Sequence, residues 1–286
     1  CSDEPVLSLP ENMHTNEKAI AATAEIDAGF EAQRPVMSAT VFETETELLR
    51  REAAVLSVET DQPVPESAEH KAYFGDLHVH TTYSFDGYAF GTLATPYDAY
   101  RYAKGEAIAN PAGFDMQLPR AMDFYAVTDH AMFLGVVKAA ADTTTEFSKK
   151  SFSKPYNDLN APENMGAGLM SVLNRLSTFS SFLPDAVSQI SSGDLDRNEV
   201  LEVVRSAWLD SIEAADQFND PGNFTTFVGY EYTASTADMG NLHRNVIFKS
   251  SDLLPREPFS RFHSPNPEDL WQWMDELRSQ GVESLA

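Results

Sequence analysis

Cysteine is almost absent from this chain of 286 residues, and the one cysteine that occurs is residue 1. A single cysteine excludes a disulfide within the chain and a zinc site built from several thiolates. We therefore expect any metal ion to be bound by His, Asp and Glu side chains.

Long apolar runs and positive charges are also scarce. No run approaches the roughly 20 apolar residues that a membrane-spanning helix needs. Only 20 Lys and Arg residues stand against 44 Asp and Glu, which gives a formal net charge of -24. Because nucleic-acid backbones are bound mainly through Lys and Arg, this balance argues against unaided nucleic-acid binding. Hydrophobic residues still make up 42% of the chain, enough for a substantial core.

The first 66 residues are acidic and rich in Glu, Ala and Thr, which predicts a flexible tether. Cys1 at its start has two interpretations. It resembles the first residue of a mature bacterial lipoprotein, which is lipidated after signal removal, or it marks an arbitrary fragment boundary. The first interpretation predicts membrane tethering through Cys1 and a location in the bacterial cell envelope, on the periplasmic or surface side.

Residues 67–286 are predicted to form one folded α/β domain with a mainly parallel sheet, because apolar β-rich runs alternate with helical patterns. The runs are AYFGDLHVHT, MDFYAVTDH, FTTFVGYEYT and HRNVIFKS. Thr95 and Asn266 are candidate N-caps, since a proline follows each of them. The weakly periodic residues 135–193 are predicted to be a helical insertion over one end of the domain.

The first β-rich run places Asp76, His78 and His80 at alternating positions, which an extended strand turns to the same side. Two imidazoles on one face of a strand can chelate one ion. The alternative is a half-buried strand whose outer face carries histidine, and a short His-x-His pattern does not decide between the two.

Further residues of ligand type lie near the ends or starts of the other runs. They are Asp86 in the loop after the first run, Asp129 and His130 at the end of the second, Glu231 in the third and His243 at the start of the fourth. Each alone could be a helix cap, a core histidine or a surface residue. Because sites in α/β folds lie at the carboxyl ends of the strands, their repetition predicts a shared metal site there.

The segments GDLHVHTTYSFDG, DFYAVTDH, FVGYEYT and GNLHRNVIF resemble, in this order, the successive motifs of the PHP (polymerase and histidinol phosphatase) superfamily. The resemblance is closest to its uncharacterised branch called domain of unknown function 3604, and it runs from about Tyr73 to Ala286. It implies a distorted (β/α)7 barrel that holds up to three divalent ions at the carboxyl ends of its strands.

The resemblance also implies a role for each candidate residue. The implied ion ligands are His78 and His80 for the first ion, Glu231 between the first and second, His243 for the second, and Asp86 and His130 for the third. Asp76 and Asp129 would orient a neighbouring imidazole without binding an ion. Members of the superfamily carry a further His and an Asp-x-His pair that would fall after Ala286, so we expect a partial barrel, the N-terminal part of a longer protein, that is inactive by itself.

These observations predict a metal-dependent hydrolase that acts on a phosphoester. The alternatives are hydrolysis of a non-phosphate bond and a non-catalytic surface lipoprotein that retains the fold for binding. Zinc, manganese or iron are the expected ions, because His-rich sites with carboxylates suit them better than calcium or magnesium. Arg244, beside His243, could contact a substrate phosphate or be a surface residue of a strand.

Overall fold

The computed structural model of the protein describes residues 41–42, 71–165, 168–236, 240–264 and 266–286. Within these residues the strands are β1 (Val41–Phe42), β2 (Gly75–Asp76), β3 (Ile108–Asn110), β4 (Phe114–Met116), β5 (Phe124–Tyr125), β6 (Thr225–Thr226), β7 (Gly229–Thr236), β8 (Gly240–Phe248), β9 (Leu254–Pro255) and β10 (Ser284–Leu285). The α-helices are α1 (Phe85–Ala89), α2 (Pro96–Ala103), α3 (Val136–Ala141), α4 (Leu169–Ser192), α5 (Arg197–Phe218) and α6 (Pro267–Ser279).

A three-stranded parallel sheet with the order β2-β5-β6 organises the domain. Helix α2 lies in the connection from β2 to β5, and α4 and α5 lie in the connection from β5 to β6. These are the helical crossovers that parallel neighbours require. The backbone pairing continues past the short strands, since the amide of Thr128 donates to the carbonyl of Val79 at 2.8 Å. The sheet therefore directs three successive chain segments towards one edge.

The longest strands form an antiparallel hairpin rather than further parallel strands. Strands β7 and β8 pair from Gly229 opposite Ile247 to Thr236 opposite Gly240, and β10 pairs with the other side of β8. Three residues separate β7 from β8. This link is far too short for a crossover, so the two strands must run antiparallel. The mixed α/β class is as predicted, but the strands of the described residues form separate small sheets and no closed barrel.

The predicted helix starts are confirmed at both proposed N-caps. The side chain of Thr95 accepts a hydrogen bond from the amide of Asp98, whose carboxylate accepts one from the amide of Thr95 at 2.9 Å. This reciprocal pair satisfies two backbone donors at the start of α2. The side chain of Asn266 accepts from the amide of Glu268 at the start of α6.

Helix α5 places one apolar stripe against the sheet, and Trp208 lies at its centre. This side chain is buried, its ring meets Tyr230 edge-on at 5.9 Å, and its Nε1 donates to the carbonyl of Pro255 at 3.0 Å. The bond satisfies the only polar atom of a large buried ring. Through Trp208 the helix thus packs against Tyr230 of β7, the residue before Glu231.

The region predicted to be a helical insertion contains α3, three short 3-10 turns and the 24-residue helix α4. Helix α4 continues through Pro184, which lacks a backbone donor. Its second half buries Phe182, Val187 and Ile190 in the core, and this burial offsets the cost of the proline.

Of the predicted tether, the described part is Val41–Phe42, which pairs antiparallel with β9. Cys1 lies outside the described residues, and so do the rest of the tether and the start of the folded domain up to His70. None of the helices among the described residues is long and apolar enough to cross a membrane.

Candidate metal centre

Backbone pairing brings the ends of the three parallel segments together. The amide of Glu231 donates to the carbonyl of Asp129 at 3.0 Å, and the amide of Ala131 donates to the carbonyl of Glu231 at 2.9 Å. His130 and Glu231 are therefore neighbours on adjacent chain segments. His80 reaches the same place from the first segment, with its Nε2 2.7 Å from Glu231 Oε2.

Two further ligand candidates come from the second strand of the hairpin and from α1, while His78 precedes His80 on the first segment. His243 lies opposite Thr233 in the hairpin register, two residues from Glu231, and its Nδ1 contacts Glu231 Oε1. Asp86 stands in the first turn of α1, with its Oδ1 3.3 Å from His80 Nδ1. A short helix after the first strand is thus enough to turn this carboxylate back to the strand ends.

All six residues predicted to bind ions meet in one cluster, which we call the His–carboxylate cluster. It contains three overlapping groups whose candidate ligand atoms lie within 4.8 Å of one another. The groups are His78 with His80 and Glu231, His80 with Asp86 and His130, and His130 with Glu231 and His243. These groups could hold metal ions, because each combines imidazole nitrogens with a carboxylate oxygen.

Glu231 is the centre of the cluster and is fully buried. Its Oε2 lies 2.7 Å from His80 Nε2, 3.3 Å from His78 Nε2 and 3.4 Å from His130 Nδ1. These distances are short enough for hydrogen bonds, yet Oε2 has no partner with hydrogen-bond geometry among the described residues. In the metal-free protein the nearby imidazoles offset the cost of this buried charge, and a cation bound by the same oxygen and nitrogens would offset it in their place. The residues present therefore fit a metal ion.

The charges of the cluster are strongly coupled. Burial would raise the pKa of Glu231, but the nearby imidazoles of His80 and His130 lower it to about 2. Burial would lower the pKa of His80, but the carboxylates of Asp86 and Glu231 raise it to about 10. The pKa of Asp86 is lowered well below its usual range, because His130 and His80 outweigh its burial. Both ligand carboxylates are thus ionised at neutral pH and ready to bind a cation.

The two acidic residues predicted to orient an imidazole contact other groups. Both carboxylate oxygens of the buried Asp129 accept from Thr81, at 2.5 Å from its amide and 2.6 Å from its hydroxyl. Asp76 is exposed and accepts from the backbone amide of His78 at 2.9 Å. Each therefore holds the backbone beside a histidine, not the imidazole itself. Burial raises the pKa of Asp129 to about 6, although the bonds from Thr81 oppose the shift.

Two hydroxyl residues that sequence reasoning missed contact the imidazoles directly. Ser84 Oγ lies 2.9 Å from His80 Nδ1 and accepts from the amide of His130 at 3.3 Å. Thr233 Oγ1 lies 2.7 Å from His130 Nδ1 and 3.4 Å from His243 Nδ1. The only available signal was their position beside ligand candidates, two residues from Asp86 and from Glu231. Ser and Thr are too common for that position to stand out.

Arg244 is not among the side chains that the structure brings to the cluster. It follows His243 in β8, so its side chain leaves the opposite face of the strand. Its guanidinium lies over the ring of Trp271, 5.8 Å from the centroid. His263 also lies elsewhere, where its Nδ1 accepts from the amide of Ser260 at 2.9 Å.

Comparison with known proteins gives one family match. The family model described as Protein of unknown function (DUF3604) matches residues 67–286, and this range contains the whole His–carboxylate cluster. No curated protein and no solved structure matches the chain.

Proposed function

Because this chain belongs to the DUF3604 family and carries the His–carboxylate cluster, we propose that the full-length protein is a metal-dependent hydrolase that acts on phosphoesters. The observation that carries the proposal is Glu231 Oε2, a buried anionic oxygen that lies within 3.4 Å of three imidazole nitrogens and has no partner with hydrogen-bond geometry among the described residues. Such an arrangement of acidic and imidazole ligands is typical of centres that hold several ions.

The hydrogen bond at His80 supports an assignment of its ligand atom. A neutral imidazole has one ring nitrogen with a free lone pair, so each histidine can bind one ion. Nδ1 of His80 lies 2.9 Å from Ser84 Oγ and can donate its proton there. This leaves Nε2 as the ligand atom, on the side of Glu231.

The same reasoning applies to His130 on the other side of the cluster. Its Nδ1 lies 2.7 Å from Thr233 Oγ1, so its Nε2 is left for an ion beside Asp86 Oδ2, 3.5 Å away. The hydrogen bonds thus favour one division of the ligands. The proposed sets are His78, His80 and Glu231 for one ion, Glu231 and His243 for a second, and Asp86 and His130 for a third.

Bound divalent ions would supply Lewis-acid chemistry and lower the pKa of a bound water towards about 7. The side chains of this chain would place the ions at strand ends, keep the two carboxylates ionised and fix the histidine tautomers through Ser84 and Thr233. A phosphoester suits such a centre, since neighbouring ions can bind both the attacking and the leaving oxygen. We propose zinc, manganese or iron, because imidazole is prominent in all three groups.

The finer parts of the proposal follow from the sequence motifs. We propose that the domain belongs to the PHP superfamily and that its parallel strands are part of a distorted (β/α)7 barrel, of which α2, α4 and α5 are crossover helices. We further propose a small-molecule phosphoester as substrate and no nucleic-acid partner.

The proposal is tested by comparing two Glu→Gln variants of the full-length natural protein. Glu231→Gln removes the shared anionic ligand with little change in shape. Glu257→Gln is the matched control, because Glu257 also contacts a histidine, at 3.4 Å from His263 Nε2, but lies outside the His–carboxylate cluster. Metal content is measured by elemental analysis after purification without chelator, and hydrolysis is measured on a panel of phosphomonoesters and phosphodiesters.

We expect the natural protein and Glu257→Gln to retain metal and hydrolyse at least one phosphoester. Glu231→Gln should lose most of its metal and at least 100-fold in turnover, because removing a shared ligand affects more than one ion. Metal below about one ion per chain in the natural protein would refute the metal centre. A metal-loaded protein that leaves every phosphoester intact but hydrolyses another ester or an amide would replace the substrate class, and a metal-loaded protein without any turnover would favour a binding role.

A further inference from the structure

Like Glu231, its neighbour Asn245 has a buried side-chain oxygen without a hydrogen-bond partner among the described residues. In the hairpin register Asn245 lies directly opposite Glu231, so the two side chains leave the same face. Its Oδ1 is buried and, among the described residues, has no hydrogen-bond partner. Within the described part of the chain, two acceptors on one face of the hairpin, Asn245 Oδ1 and Glu231 Oε2, thus have no partner with hydrogen-bond geometry.

The orientation of the Asn245 amide is set by its other contact. Nδ2 lies 2.8 Å from the backbone carbonyl of Leu77. A carbonyl oxygen can only accept, so the atom that faces it must be the NH2 group. The oxygen of Asn245 is therefore the atom without a partner among the described residues. If the amide were flipped, Oδ1 would face the carbonyl oxygen of Leu77, and two acceptors would be in contact.

The same contact ties Asn245 to the first ligand group. Leu77 immediately precedes His78, whose Nε2 lies 3.3 Å from Glu231 Oε2. The side chain of Asn245 thus bridges from the hairpin, opposite one ligand candidate, to the backbone beside another. A carboxamide oxygen is a neutral ligand that divalent ions accept, and it is favoured by manganese more than by softer ions.

We propose that Asn245 Oδ1 is an additional ligand of the ion held by His78, His80 and Glu231. This inference deepens the proposed function and rests on its metal centre, but not on the reaction. Together with the three side chains, Asn245 would raise the protein ligands of this ion to four, and it would remove the desolvation cost of an acceptor that is otherwise unpaired.

The test uses two substitutions that separate the oxygen from the NH2 group. Asn245→Leu keeps the approximate size and removes both polar atoms. Asn245→Asp keeps an oxygen but loses the donor to Leu77. The matched control is Asn157→Leu, which also removes an amide that donates to backbone carbonyls, at 2.8 Å to Ala140 and 3.1 Å to Ser148. Manganese affinity and stoichiometry are measured by titration against a chelating dye, and the metal-free proteins are compared by thermal unfolding.

We expect Asn245→Leu to bind one manganese ion about 10- to 100-fold more weakly, while Asn245→Asp and Asn157→Leu stay within about threefold of the natural protein. Thermal unfolding of the metal-free forms reports the loss of packing separately. If Asn245→Asp binds as weakly as Asn245→Leu, the bond to Leu77 matters and the oxygen is not a ligand. If Asn245→Leu keeps natural affinity, the oxygen faces only a buried water and the inference is overturned.

Failure of this inference can be distinguished from failure of the proposed function. Manganese binding that depends on Asn245 in a protein without any hydrolysis would support the ligand and refute the hydrolase. If hydrolysis and metal binding both survive Asn245→Leu, the hydrolase is supported and Asn245 is not a ligand. A natural protein that binds no manganese, zinc or iron would overturn both.

Discussion

Thr233→Val should weaken metal binding while leaving the fold nearly unchanged. Valine has the branched shape of threonine and is well accepted in strands, so β7 should persist. The substitution removes Oγ1, which lies 2.7 Å from His130 Nδ1. Without this acceptor the Nδ1 proton is no longer fixed, and Nε2 is presented less consistently to an ion beside Asp86.

The general energetics of hydrogen bonds and of ligand orientation give a magnitude for each consequence. One lost hydrogen bond at a partly buried site costs about 1 kcal/mol of unfolding free energy. Loss of a group that orients a ligand imidazole typically costs 10- to 100-fold in metal affinity, which corresponds to about 1.4 to 2.7 kcal/mol. The effect on the ion should therefore exceed the effect on the fold.

The assay combines manganese titration with urea unfolding of the metal-free protein. Thr226→Val is the matched control, because Thr226 lies in β6 and its hydroxyl donates to the carbonyl of Ala215 at 2.6 Å, away from the cluster. Thr233→Ser should restore metal affinity, since it retains the hydroxyl. Full stoichiometry and affinity in Thr233→Val, or an equal loss in Thr226→Val, would refute the role of Thr233 as a positioning residue.

Two further predictions concern stability. Chelator should lower the thermal midpoint of the natural protein, because each ion present at about 100 times its Kd adds about 2.7 kcal/mol to the free energy of unfolding. The midpoint of Glu231→Gln should change little. Equal shifts in both proteins would contradict this. Glu257→Gln should flatten the acid limb of the stability curve. Burial would raise the pKa of Glu257, but His263 and Arg205 lower it, so its stabilising contribution is present above the unfolded pKa of about 4.3 and is lost as pH falls through the folded value. Urea unfolding from pH 7 to pH 3 compares the natural protein with Glu257→Gln. If the free energy of unfolding falls in parallel for both proteins, Glu257 does not contribute to the acid sensitivity.

The ligand candidates could be predicted because their sequence signal depends only on strand order. His80, His130 and Glu231 each lie near the end of an apolar run, and chain segments that continue parallel strands to one edge of a sheet bring such residues together. The start of α2 was predictable for a similar reason, since Thr95 and Asp98 form a local capping box that needs no tertiary contact.

Other features depend on contacts that a single sequence does not reveal. Ser84 and Thr233 are common residue types, and their roles follow from distances between segments far apart in the chain. The length of helix α4 could not be predicted, because its many Ser residues and Pro184 have low helix propensity. Its stability comes from burial of its second half. Arg244 is next to His243 in the sequence, but strand alternation turns its side chain to the opposite face, where it lies over Trp271.

The balance of charge explains why the ions would determine which substrates this protein accepts. The chain carries a formal charge of -24, and the cluster itself contributes two ionised carboxylates, Asp86 and Glu231. Without ions, the protonated His80 offsets only one of these two carboxylates, so an anionic phosphoester would meet negative charge both on approach and at the site. Two divalent ions bring four positive charges against these two carboxylates, so the loaded cluster becomes a local positive centre in an acidic surface. Under the proposed function, metal loading therefore controls substrate binding as well as water activation. A neutral ester would lack the first of these effects, and this is the physical reason to favour a phosphoester substrate.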